Sequence, residues 1–248
     1  MSSAATDRAS PLFFDREALR KIGKSMRTAY RSARPFPHFV LDSFLGEVKA
    51  RALAEKFPKP DDPGWLRRDY AEQSARLGQL QRTGFVDVDP FVRSFLNELS
   101  QMAFIDFLEE STGIEGIIAD PHFRGAGPSI TLAGGHLALH ADFNRDRFRH
   151  LERCLTAIYY LGSDWDTAWG GELELHGRDA SSDRVRYAPI LDRLVVFEHG
   201  DDHWHGHPTP LACPPERHRA SVSCYFYKAA SSEEHEAHGA IWKDKARS

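Results

Sequence analysis

The spacing of apolar residues divides the chain into a helical first part and a second part made of short strands. Basic side chains recur every three to four residues over 14–33, which predicts a helix with one basic face. We interpret that face as solvated rather than as a docking surface, because acidic residues elsewhere balance its charge. Asp89-Pro90 is a favourable helix start, and an aromatic stripe continues from there to Gly113. Such a stripe predicts a second helix that packs on a sheet.

Two segments between these helices have different patterns. Residues 35–45 (PFPHFVLDSFL) predict a strand that enters a short helix. Residues 58–85 are rich in Pro, Asp, Arg and Gln and have no firm periodicity, so we expect a loop or lid there.

From residue 114 onward, short apolar runs alternate with turn signals such as Gly134-Gly135 and Gly170-Gly171. We predict strands near 115–119, 128–133, 136–141, 153–161, 172–176, 185–190, 193–198, 203–207 and 219–227. This order predicts an α+β, mainly β fold, a jelly-roll barrel of two sheets backed by N-terminal helices. We expect a tail and basic helix over 1–34, one domain over 35–230 with its barrel at about 114–228, and a charged tail over 231–248.

Composition narrows the function classes. The chain has 248 residues, a net charge of −4 with both signs mixed, and three cysteines without a C-x-x-C pair. We therefore expect neither a nucleic-acid partner nor a membrane partner, and a reducing, cytoplasmic location. The first residues lack the apolar core of a signal peptide, and no apolar run is long enough to span a bilayer. The sequence leaves the oligomeric state open.

The strongest chemical signal is His140-Ala141-Asp142, because a strand presents residues i and i+2 on one face. A second imidazole is available from the downstream cluster His199, His203, His205 and His207. Two histidines and one carboxylate form the facial triad of non-haem Fe(II) oxygenases. An isolated H-x-D also occurs on ordinary exposed strands, so the motif is weak alone. Arg219 and Ser221 strengthen it, since a strand that opens with this pair can bind a carboxylate.

At these residues the chain resembles the Fe(II)- and 2-oxoglutarate-dependent oxygenases, in particular their prolyl-4-hydroxylase-like branch. The similar blocks are GGHLALHADFN, DWDTAWGGELELHGRD, ILDRLVVFE, WHGHPTPLACP and RASVSCYFY, in the family's order. The resemblance covers roughly 35–228 and implies a double-stranded β-helix. It also implies that His140, Asp142 and His205 bind the iron and that Arg219 with Ser221 binds the distal carboxylate of 2-oxoglutarate.

Several assignments are less specific. His207 is the alternative to His205, which we favour because His205-Gly206 precedes a Pro-x-Pro turn as the family's ligand does. The family's tyrosine before the H-x-D is missing, and Thr131 is a candidate replacement. Asn144 is a second candidate for the cofactor site, although turn capping explains it equally well. Arg67, Arg68 and Arg124 are candidates to meet an anionic substrate.

The resemblance implies an enzyme, a dioxygenase that uses Fe(II), 2-oxoglutarate and O2 and releases succinate and CO2. Because Asp142 supplies the carboxylate that related halogenases lack, hydroxylation is favoured over halogenation. We expect a small-molecule substrate, such as an amino acid, a sugar or a biosynthetic intermediate. The alternatives are a prolyl hydroxylase that acts on protein and a non-catalytic, cupin-like metal-binding sensor.

Overall fold

The computed structural model describes residues 12–78, 88–146, 148–178, 183–230 and 236–243. The helices within these ranges are α1 (Arg16–Ser32), α2 (Glu47–Lys56), α3 (Pro90–Glu98) and α4 (Met102–Thr112), with a short 3-10 helix at Thr167–Trp169. The strands are β1 (His38–Leu41), β2 (Leu66–Tyr70), β3 (Gln73–Gly78), β4 (Ile118–Ala119), β5 (Gly127–Ala141), β6 (Arg145–Asp146), β7 (Leu151–Tyr160), β8 (Leu173–His176), β9 (Arg184–Tyr187), β10 (Arg193–Glu198), β11 (Trp204–His207), β12 (His218–Ala229) and β13 (Ile241–Trp242).

The strands form one curled antiparallel sheet in the order β1-β10-β7-β12-β5-β11-β8-β9. β5 joins its two halves, because its first part pairs with β12 and its last part pairs with β11. The hairpin β2–β3 and the short strand β13 also pair with β5. This arrangement confirms the predicted mainly β, double-stranded β-helix fold with helices on its N-terminal side.

A layer of aromatic residues joins the helices to the sheet. Phe95 of α3 and Phe104 of α4 are fully buried, and the Phe95 ring centroid lies 5.1 Å from that of Tyr159 on β7. The aromatic stripe is therefore core, as the sequence predicts. Burial of such large rings removes much apolar area from water and contributes strongly to stability.

The basic face of α1 has partners within the chain itself. Arg16 lies 2.6 Å from Asp106 and Arg20 lies 2.7 Å from Glu110, both on α4. The face is thus partly neutralised by its neighbouring helix rather than simply solvated. Among the described residues, no helix has the length and apolar character needed to cross a membrane.

Three segments differ from the sequence-based expectations. The predicted lid at 58–85 contains the β2–β3 hairpin, because β3 finds backbone partners along β5; residues 79–87 lie outside the described ranges. The predicted second helix is two helices, since extended backbone at Gln101 separates α3 from α4. Part of the predicted tail, residues 236–243, packs on the domain through β13, which pairs with the end of β5. We call residues 236–243 the C-terminal segment.

Candidate active site

Two strands bring His140, Asp142 and His205 together. His140 is on β5, Asp142 follows that strand by one residue, and His205 on β11 lies directly opposite His140 in the register. One ligand atom from each residue lies within 4.8 Å of the others, and all three residues are buried. His140 Nε2 is 3.4 Å from Asp142 Oδ1, and His205 Nε2 is 3.2 Å from Asp142 Oδ2. We call these three residues the triad.

The local chemistry of the triad suits a metal ion. His140 donates its Nδ1–H to the Ala138 carbonyl at 2.9 Å, so the Nε2 lone pair faces Asp142. Burial lowers the pKa of His205, which keeps its imidazole neutral. Although burial opposes the charge of Asp142, the Arg153 guanidinium and the two histidines hold its pKa well below the usual value. Two imidazoles and one carboxylate are the donor set of the facial triad.

Arg153 is a member of the site that the sequence analysis missed. Its Nη2 donates to Asp142 Oδ2 at 2.5 Å and to Thr156 Oγ1 at 2.9 Å. The side chain is fully buried, and its guanidinium carbon lies 3.3 Å from the centroid of the Tyr225 ring. Its Nε and Nη1 have no hydrogen-bond partner among the described residues. The sequence held one indication of this role: Arg153 is the single charged residue of the predicted strand at 153–161.

A second basic group lies deeper in the barrel. Arg219 donates from Nε to the Gly171 carbonyl at 2.8 Å and from Nη2 to the Tyr160 hydroxyl at 3.0 Å. A Cβ at Gly171 would lie 2.6 Å from Leu211 Cδ2 and 3.3 Å from Arg219 Cδ, so glycine permits this close approach. Ser221 is buried on the same strand, and its hydroxyl is 3.1 Å from the Ser129 hydroxyl.

His203, which directly precedes β11, and the two histidines of β11 have three different surroundings. His203 stacks on Phe36 with ring centroids 4.2 Å apart, so its role is packing. His205 joins the triad, while the register shifts before His207, which lies opposite Leu137 and borders Arg219. A Cβ at Gly206 would lie 2.7 Å from two carbonyl oxygens of β5, which explains the glycine between the two histidines.

His207 is buried, and neither of its ring nitrogens has a hydrogen-bond partner in the described part of the chain. Burial and the nearby Arg219 and Arg76 guanidiniums lower its pKa well below the usual value. The neutral ring therefore offers one donor and one acceptor to a molecule bound beside Arg219.

Thr131 and Asn144 lie apart from the cavities at the triad. Thr131 is opposite Arg219 in the register, but its methyl group fills the space beside Gly135. Asn144 binds the C-terminal segment instead, with hydrogen bonds of 3.0 Å to the Glu236 carbonyl and to the His238 N–H. Their assignment as cofactor ligands stays a prediction: in this structure Thr131 packs beside Gly135, and Asn144 binds the C-terminal segment.

Two cavities meet at the triad. The inner cavity, of about 50 Å³, contains Arg219, Ser221 and His207 in its wall. The outer cavity, of about 190 Å³, is walled partly by the β2–β3 hairpin and partly by the C-terminal segment. Both cavities are lined by Arg76, Leu137, His140, Asp142, Ser223 and Tyr225. The shared residues place the two cavities side by side, and His140 and Asp142 lie where they adjoin.

Comparisons with known proteins agree with this geometry. Residues 128–227 match the family described as the 2OG-Fe(II) oxygenase superfamily. No curated protein sequence matches the chain.

The fold is similar to solved prolyl hydroxylases from three organisms. The Trichoplax adhaerens prolyl hydroxylase, in complex with a peptide fragment of the hypoxia inducible factor oxygen degradation domain, has 15% identity and a TM-score of 0.58, over 86% of this chain and 91% of that one. A Pseudomonas putida prolyl-4-hydroxylase has 18% identity and a TM-score of 0.56, over 84% and 99%. One from Phytophthora capsici has 16% identity and a TM-score of 0.56, over 99% and 76%.

At these identities the structural matches establish the fold, and the family match covers the strands that carry the triad, Arg153 and Arg219. Residues 128–227, which carry the triad, Arg153 and Arg219, are therefore similar to the 2OG-Fe(II) oxygenase superfamily, and the fold of the chain is similar to that of solved prolyl hydroxylases.

Proposed function

We propose that the triad binds Fe(II), that Arg219 and Ser221 bind the distal carboxylate of 2-oxoglutarate, and that the enzyme hydroxylates an unactivated C–H bond of a small molecule. The observation that carries this proposal is a pair of adjoining cavities, with two imidazoles and a carboxylate beside their shared wall and a buried guanidinium in the wall of the inner one. A metal-binding sensor without turnover would not need that guanidinium.

Each residue has a distinct task in this scheme. Bound Fe(II), 2-oxoglutarate and O2 supply the oxidative chemistry, which yields succinate, CO2 and the hydroxylated product. Arg153 keeps Asp142 ionised and orients its carboxylate, which would be one of the groups that hold the metal. Tyr160 orients Arg219, and the neutral His207 is placed to hydrogen-bond the co-substrate. The enclosing side chains hold the substrate carbon close to the metal and limit competing reactions.

The walls of the outer cavity favour a small molecule. Arg68, Tyr70 and Arg76 come from the β2–β3 hairpin, and Ala240 and Trp242 come from the C-terminal segment. These two segments both pair with β5 and flank the triad. A site bordered in this way suits a compact ligand better than an extended polypeptide, which needs a long open groove.

The co-substrate assignment is tested by replacing Arg219. The purified wild-type protein, loaded anaerobically with Fe(II), should bind 2-oxoglutarate with a visible charge-transfer band. Arg219→Ala should weaken 2-oxoglutarate binding by about 2–5 kcal/mol, because a buried carboxylate loses its charged partner. Fe(II) affinity should change little. The matched control is Arg217→Ala, two residues earlier, whose side chain is exposed. Equal 2-oxoglutarate affinity in the two variants would refute the assignment.

The substrate class is tested by succinate release in the presence of candidate substrates. We expect small molecules to stimulate turnover above the uncoupled rate and proline-containing peptides to leave it unchanged. Stimulation by a peptide, with hydroxyproline as the product, would replace the small-molecule proposal with prolyl hydroxylation.

The cellular location stays a prediction. Cys154, Cys213 and Cys224 are buried and unpaired with one another. Free thiols suit a reducing compartment, and on that ground we propose the cytoplasm.

A further inference from the structure

We infer that the substrate is a small organic anion whose carboxylate or phosphate is bound by Arg68 and Arg76 in the outer cavity. This inference rests on the proposed function, since it concerns the molecule that lies beside the triad during turnover. It extends that proposal from a small molecule in general to a charged one with a defined point of attachment.

The two arginines form a pair across the β2–β3 hairpin. Arg68 and Arg76 are directly opposite each other in the register, and both line the outer cavity. Side chains at directly opposite positions point to the same face of the sheet, so two like charges are held together there. Such a pair is destabilising without an anion. Arg67, the neighbour of Arg68, alternates to the other face and lies 3.1 Å from Asp69.

Neither guanidinium of this pair has a carboxylate partner among the described residues. The hydrogen bond found for Arg76 goes to the neutral Gln73 side chain at 3.4 Å, and Arg68 forms no ion pair in the described ranges. The acidic group facing Arg76 is Asp142, which Arg153 already binds. Burial and the neighbouring charges of Arg219 and Arg68 lower the pKa of Arg76. Because arginine stays protonated, this cation is short of anionic partners.

A count of the charges that line the two cavities also shows an excess of positive charge. Arg68, Arg76 and Arg219 line the two cavities and supply three positive charges, and Asp142 supplies one negative charge, a balance of 3 − 1 = +2. Fe(II) and the dianion of 2-oxoglutarate cancel each other. The loaded site therefore retains an excess of positive charge, which an anionic substrate reduces.

Part of the remaining wall of the outer cavity is aromatic. Tyr70, Phe143, Tyr225 and Trp242 line it, and the Trp242 ring centroid is 5.1 Å from that of His140. The aromatic surface provides contact area for a carbon framework close to the metal ligands. An anionic group on the arginine pair would then leave the apolar part of the molecule beside the triad.

Anaerobic calorimetry on the loaded enzyme tests the inference. The protein is saturated with Fe(II) and 2-oxoglutarate and titrated with two matched pairs of probes: 3-phenylpropionate with its amide, and glycerol 3-phosphate with glycerol. We expect at least one anion to bind about tenfold more tightly than its neutral counterpart. Arg68→Gln and Arg76→Gln should each remove that preference, and Arg67→Gln should keep it. The anion that binds separates a carboxylate from a phosphate substrate.

The possible failures are distinguishable. The 2-oxoglutarate band is recorded first, and its absence in the wild-type protein contradicts the proposed function and this inference together. A normal band without any anion preference overturns the inference alone, as does anion binding that survives both glutamine variants. A loss of 2-oxoglutarate affinity in Arg76→Gln, with anion binding unchanged in Arg68→Gln, would assign Arg76 to the co-substrate and also overturn it.

Discussion

The two faces of β7 show how the same strand supports two kinds of interior. Leu155 and Tyr159 face the aromatic layer of the helices, where many interchangeable contacts exclude water. Thr156 and Tyr160 face the cavity, where each hydrogen bond has a particular partner, Arg153 or Arg219. Loss of an apolar contact should therefore reduce stability in proportion to the cavity left, whereas loss of a polar partner should reduce function while the fold persists.

The largest functional effect is expected for the triad. His140→Ala and Asp142→Ala should each reduce 2-oxoglutarate-dependent succinate release by more than about 100-fold, since a metal ligand is lost. The melting temperature measured without metal should stay close to that of the wild type in His140→Ala, whereas Asp142→Ala should lower it, because the buried Arg153 loses its carboxylate partner. The exposed His122→Ala provides the control. Turnover above one-tenth of the wild-type rate in either triad variant would contradict the assignment of these residues as metal ligands.

On the opposite face, Phe95→Ala should reduce the free energy of unfolding by about 3–5 kcal/mol, because a fully buried ring is removed from the aromatic layer. Chemical denaturation measures this loss. Under conditions where the variant is folded, its 2-oxoglutarate affinity should equal that of the wild type. A large change in that affinity would show that the two faces are not independent.

Arg153 lies between the aromatic layer and the cavity. Its replacement should weaken function less than the loss of a triad residue does. Arg153→Leu should weaken Fe(II) binding by about 10–100-fold, because Asp142 loses the partner that orients it and keeps it charged. Arg153→Lys should recover only part of the loss, since an ammonium lacks the planar fork. Arg149→Leu, which breaks an ion pair with Asp120 further from the triad, is the control. Metal titration followed by the charge-transfer band gives the affinities.

The smallest effect concerns pH. Burial lowers the pKa of His199 from 6.5 to about 3, so the folded protein keeps this imidazole neutral while the unfolded chain protonates it below about pH 6.5. Its contribution to stability is present above that pH and is lost as the pH falls toward 3. Between pH 7 and pH 5 the loss should be about 2 kcal/mol or less. Urea titrations should show a shallower decline in His199→Gln, and identical slopes would contradict the assignment.

The general fold and the His140–Asp142 pair could be predicted because both depend on local periodicity, whereas the choice of His205 depended on the family resemblance. The alternation around His140 and Asp142 and the strand signals from residue 114 onward need no knowledge of distant contacts. The predicted strands at 128–133 and 136–141 nevertheless form one strand, β5, whose register with β3 shifts across Gly134-Gly135, where the backbone bonds to Leu211 instead.

The cavity walls could not be predicted in this way. The β2–β3 hairpin has little apolar alternation, and its place is determined by hydrogen bonds to β5. The C-terminal segment adds Trp242 to the site through β13, after a charged stretch that indicated a tail. Tyr160 has its role through Arg219, which is far away in the sequence. Arg153 has its role through Asp142, which it meets only because of how the two segments are oriented. Residues that meet only through such pairing leave no spacing pattern in the sequence.

The most direct test of the account is an anaerobic titration of the wild-type protein and Asp142→Ala with Fe(II) and 2-oxoglutarate, followed by visible absorption. If the triad binds Fe(II) together with 2-oxoglutarate, the wild type shows a charge-transfer band that saturates at one Fe(II) and one 2-oxoglutarate per chain. Asp142→Ala shows no band. A wild-type protein without the band, or a variant with an undiminished band, would contradict the assignment of the triad as the Fe(II) site.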